Sequence, residues 1–64
     1  MDKEVREIAE KLVKQGWRIE EGSKHAKAYP PDPTKSVVIL PGTPGKGRWK
    51  QNLISQLRRS GADL

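Results

Sequence analysis

At 64 residues with no cysteine, the chain has room for one compact domain spanning 1–64, whose core neither a disulfide framework nor a thiolate metal site reinforces. The formal net charge of +5 is unevenly placed: residues 1–21 carry five basic against six acidic side chains, and residues 22–64 eight against two. Clustered cations suit a polyanion, whose phosphates they neutralise with release of counterions, although the same charges also serve as a solvated surface. Met1 to Glu10 is rich in charge where a secretory signal needs an apolar run, and no stretch approaches the roughly 20 apolar residues of a membrane span. The expected location is the cytoplasm, with no membrane partner.

Val5, Ile8, Ala9, Leu12 and Val13 recur with the spacing that lines one face of a helix. The first helix is therefore expected over about Lys3 to Lys14. Asp2 suits its N-cap, Lys11 and Lys14 suit the negative end of its dipole, and Gly16 suits a left-handed terminator. After Gly16 the period changes to two. Trp17 and Ile19 point one way and Arg18 and Glu20 the other, as in a half-buried strand. Glu21, Gly22 and Ser23 read as a hairpin turn. In the next strand, Lys24 to Tyr29, Ala26 and Ala28 share one face while His25, Lys27 and Tyr29 share the other.

Pro30, Pro31, Asp32 and Pro33 cannot continue a ladder, so a loop leads to a β-branched strand from Ser36 to Leu40. Beyond a glycine-rich turn from Pro41 to Gly47, Trp49, Leu53, Ile54 and Leu57 mark a second amphipathic helix ended by Gly61. The expected class is α+β, with order α-β-β-β-α. Two helices cover one face of a three-stranded antiparallel sheet and the other face stays open. Val37 or Val38 must then lie exposed unless a partner covers it.

The glycines and Lys46 between strand and helix invite a P-loop reading, but Gly47 stands where the magnesium-binding Ser or Thr belongs, and Leu40 where the first glycine does. A helix N-terminus with Lys46, Arg48 and Lys50 nearby can still hold a phosphate, or simply be a turn with solvated charges. His25 is the only histidine, and the acids near it, Glu20 and Glu21, lack metal-ligand spacing, so no metal and no cofactor are expected. Imidazole changes charge near neutrality, so on the open face this residue can move a proton to or from a ribose hydroxyl or leaving oxygen. Trp17 and Trp49 are expected in the core. Tyr29 either stacks on a base or covers Val37 or Val38 across the sheet.

Gly16-Trp17, Gly22-Ser23-Lys24-His25-Ala26-Lys27-Ala28-Tyr29 and Val38-Ile39-Leu40-Pro41-Gly42-Thr43-Pro44 resemble the HicA family of toxin mRNA interferases over nearly the whole length. Leu53 to Gly61, with Leu57-Arg58-Arg59-Ser60-Gly61, looks like that family's closing helix. The resemblance implies a double-stranded-RNA-binding-domain-like fold and the toxin of a type II toxin–antitoxin system. Its activity would be metal-independent cleavage of mRNA, which blocks translation, and its partner a HicB-type antitoxin. His25 takes the catalytic place, with Ser23, Lys24, Lys27, Tyr29, Lys46, Arg48 and Lys50 as expected substrate contacts. Many members carry a second histidine before the last helix; here Gly45-Lys46-Gly47-Arg48 occupies that stretch. The rival expectation is a non-catalytic double-stranded-RNA-binding module, which shares the order of elements and grips 2′-hydroxyls and phosphates.

Overall fold

The computed structural model describes residues 2–22, 25–42, 45 and 47–64. The elements run α1 (Lys3–Lys14), β1 (Arg18–Glu21), β2 (Ala26–Tyr29), β3 (Val38–Leu40) and α2 (Trp49–Arg59). The strands form an antiparallel meander in the order β1-β2-β3. This is the expected α+β layout.

Local chemistry explains where the helices begin and end. Asp2 accepts from the Glu4 backbone N–H at 3.0 Å, capping α1. At its other end Gly16 has φ +93°, and the N–H groups of Trp17 and Gly16 donate to the carbonyls of Leu12 (3.0 Å) and Val13 (3.1 Å). That pairing is a Schellman motif, and it carries Trp17 into the core. α2 repeats it: Gly61 has φ +98°, and Ala62 and Gly61 donate to Leu57 (2.9 Å) and Arg58 (3.0 Å). Each glycine reverses the chain in a conformation that a Cβ would strain.

Both helices pack on one sheet face. Leu12 of α1, Leu40 of β3 and Leu57 of α2 are wholly buried. From the sheet, Ala26 and Ala28 of the middle strand are buried beside Val38 and Leu40. The far end of α2 is fastened to the approach of β3, where the buried Ser60 donates its Oγ–H to the Ser36 carbonyl at 2.9 Å. The tail is fastened to α1: the Gln15 side-chain amide donates to the Asp63 carbonyl (2.8 Å) and accepts from the Asp63 N–H (2.7 Å).

Several boundaries differ from the expectation. Val13 is exposed, because it lies about 80° round the helix from Val5 and falls off the edge of the stripe. Trp17 is core, whereas Trp49 and Ile54 are only partly covered. Glu21 belongs to β1, paired with Ala26, rather than to the turn. β2 starts at Ala26 and β3 at Val38; the Ser36 carbonyl is taken by Ser60 and Pro30 has no N–H, so the ladder has nothing to extend it. Val38 is buried, and its neighbours Val37 and Ile39 are exposed. Among the described residues no helix is long and apolar enough to cross a membrane.

The loop between β2 and β3 folds on Asp32, whose carbonyl accepts from the Lys35 N–H at 3.1 Å across a turn with proline second. Its carboxylate Oδ1 accepts from the Thr34 N–H (2.9 Å) and from Thr34 Oγ1 (2.7 Å). The backbone bond first, then the hydroxyl, hold the Asp32 carboxyl below the ordinary carboxylate range, with Lys35 adding to the effect. A carboxyl lowered on folding stabilises the fold above its unfolded pKa, and that contribution disappears as pH falls through the folded value.

Two outcomes follow for the fold. Leu40→Ala should lower unfolding free energy by about 2–5 kcal/mol, a large part of the roughly 3–10 kcal/mol available to a domain this small, while Ile39→Ala next to it costs far less. Urea denaturation of both compares them, and equal losses would contradict the assignment of faces. In a ¹³C NMR pH titration, Thr34→Ala should move the Asp32 midpoint upward, but only part of the way, since the backbone donor remains. An unmoved midpoint would rule out the hydroxyl's share.

Candidate nucleic-acid interface

Burial alternates along β2. Ala26 and Ala28 face the helices, and Lys27 is exposed on the opposite side with Tyr29 half-buried behind it. His25 stands just before the strand, exposed, and the alternation puts it on the open face with Lys27 and Tyr29. Its backbone is held: the Gly22 N–H donates to the His25 carbonyl at 2.9 Å, closing the β1–β2 hairpin. A Cβ on Gly22 would come within 2.8 Å of that same carbonyl, so only glycine lets the hairpin close this tightly.

The register completes the face. Glu20 lies opposite Lys27, Lys27 opposite Ile39, and Arg18 opposite Tyr29. The Arg18 guanidinium carbon sits 4.6 Å from the centre of the Tyr29 ring, a cation–π stack across the hairpin. Glu20 reaches the same guanidinium at 3.7 Å, an exposed ion pair that contributes little to stability. The open face therefore presents an imidazole, an ammonium, a stacked guanidinium and an apolar edge at Ile39, with Glu20 as its carboxylate.

The other expected contacts are distributed differently. Ser23, Lys24 and Lys46 lie outside the described residues. Arg48 and Lys50 are exposed at the start of α2, which no side chain caps. Because Ser60 ties the far end of α2 to Ser36, the helix start lies toward Leu40, the residue paired with Ala26. Arg48 and Lys50 thus share an end of the domain with His25 but belong to the helical layer. Lys50 lines the groove between the helices with Glu4, Glu7 and Lys11, and the fold does not bring it onto the open face. Among the described residues, no three of His, Cys, Asp and Glu gather as metal ligands do.

Arg18 was not among the expected site residues. It was reachable by counting: with Gly22 opposite His25, antiparallel register sets Arg18 against Tyr29. A turn over Glu21 to Ser23 does not give that pairing, because Glu21 continues β1 opposite Ala26. The fate of Tyr29 is also decided within the chain, since its ring packs with Arg18.

Compared with models of known families, with curated proteins and with solved structures, the chain matches none.

Gly22→Ala should destabilise the domain by about 1–3 kcal/mol and shift the amide resonances of His25 and Ala26. Gly45→Ala is the control: among the described residues no atom lies within 4 Å of the added Cβ. Equal unfolding midpoints for the two variants would mean that the hairpin closes without the close approach at Gly22.

Proposed function

We propose that the chain is a HicA-type toxin, a metal-independent endoribonuclease that cuts mRNA and halts translation, with His25 as general acid–base residue. One observation carries this reading: the sole imidazole of the chain is exposed at the head of β2, anchored through its own backbone and aligned with Lys27 on the face turned away from the core. A proton-transfer group needs access, a fixed position and a nearby cation for the charge that builds on phosphorus. The motif Gly22-Ser23-Lys24-His25, which resembles that of the family, ends at this residue.

In the proposed step His25 takes the proton of a ribose 2′-hydroxyl, whose oxygen attacks the adjacent phosphorus. The bond to the 5′-oxygen breaks and that oxygen takes up a proton. The ends are a 2′,3′-cyclic phosphate and a free 5′-hydroxyl. Lys27 is assigned to the phosphorane and Lys24 and Lys46 to flanking phosphates, with Ser23, Arg48 and Lys50 more peripheral. The proposal includes a double-stranded-RNA-binding-domain-like ancestry for the fold, a cytoplasmic site of action, and a HicB-type antitoxin that covers the open face. The exposed Arg48 and Lys50 at the start of α2 favour the second reading, a duplex-RNA-binding module without catalysis.

Purified wild type and His25→Ala should be incubated with mRNA in excess chelator and the product ends analysed. The expected result is cleavage leaving cyclic phosphates, slowed at least ~100-fold in the variant. Equal rates would overturn the role of His25, and salt-sensitive duplex binding with no cleavage by wild type would establish the second reading.

A further inference from the structure

We infer that the Arg18–Tyr29 stack is a base-binding platform, so that the open sheet face holds an RNA single strand by a nucleobase as well as by its phosphates. This deepens the proposed ribonuclease reading and rests on it for the identity of the ligand.

The geometry separates a stacking surface from a phosphate clamp. Arg18 lies with its guanidinium 4.6 Å over the Tyr29 ring, while its side chain remains 72% exposed. The ring lies on one side of the cation, and most of the side chain is left to solvent. A guanidinium plane held this way accepts a base on its outer side, as an aromatic ring does. Glu20, whose carboxylate lies 3.7 Å from the same guanidinium, offsets part of its charge. The arginine thus offers its plane more than its charge.

Position supplies the second argument. Tyr29 and His25 occupy the same face of one extended segment, four residues apart, or about 13 Å at strand rise, with Lys27 midway. A strand laid along β2 meets an imidazole, an ammonium and then a stacking plane in sequence. The cation and the plane are the two elements by which proteins hold single strands. The half-buried Tyr29 ring and the cross-strand pairing of Arg18 fix the platform in advance of binding.

The test uses the wild-type chain with single-stranded 2′-O-methyl oligoadenylate, which cannot be cleaved through its 2′-position, and an abasic strand of the same length. Fluorescence anisotropy reads both affinities. Wild type should bind the base-bearing strand about five- to 100-fold more tightly than the abasic one. Arg18→Lys, which keeps the charge and loses the plane, and Tyr29→Val should each remove most of that preference while leaving abasic-strand binding nearly intact. Lys11→Ala, which removes one positive charge on the helical side, should leave the preference in place. Circular dichroism confirms that each variant is folded. If wild type binds both strands equally, or Arg18→Lys keeps the preference, the platform is refuted while the ribonuclease reading stands. Binding of neither strand refutes RNA as the ligand of this face, and the platform with it.

Discussion

The alternation of side chains along β2 is the constraint on which the rest of the molecule depends. This four-residue strand is the centre of the sheet, hydrogen-bonded on both sides. Its inward positions are alanines, small enough for the helices to approach closely, and Leu12, Leu40 and Leu57 are left with no exposure. Its outward positions are then committed to solvent. A slip of one residue would bury Lys27 and expose the alanines, at a cost no domain of this size can absorb. Core packing and the placement of His25, Lys27 and Tyr29 are two sides of one register.

That register is defended at its ends. On one side the Gly22–His25 hydrogen bond closes the hairpin with a contact that excludes any larger residue at Gly22. On the other, Ser60 takes the Ser36 carbonyl and stops β3 short. The paired Schellman motifs serve the same purpose at the helix ends. Each drops a residue into the core immediately after a glycine reversal, Trp17 after α1 and Ala62 after α2. A chain with no cysteine and a small core relies on such local over-determination, because hydrophobic area alone leaves it little margin.

The open face combines polar, aromatic and apolar groups. Its polar groups are spaced along one direction, its aromatic ring carries a stacked cation, and Val37 and Ile39 are left 43% and 48% exposed beside them. Electrostatics on this face is balanced rather than uniformly positive, since Glu20 stands opposite Lys27. The strongest concentration of basic residues lies in the second part of the chain, so the positive field is centred there.

The sequence by itself determined the elements and their inner faces. Val5, Ile8 and Leu12, the alanines of β2, and Leu53 with Leu57 announce burial through periods of 3.6 and two, and Asp2, Gly16 and Gly61 announce caps, because these are local signals read from a few neighbours. It also singled out His25 and Lys27, since alternation alone puts them together. Only the tertiary structure decided what depends on residues distant in the chain. Arg18 finds Tyr29 through hairpin register, Gln15 clamps Asp63 across 48 positions, and Ser60 truncates a strand that propensity would have extended from Ser36. Lys50, close to Lys46 in the chain, is carried into the groove between the helices by the rotation of α2. Periodicity states which way a side chain faces within its own element; which side chain it meets there is set by packing between elements.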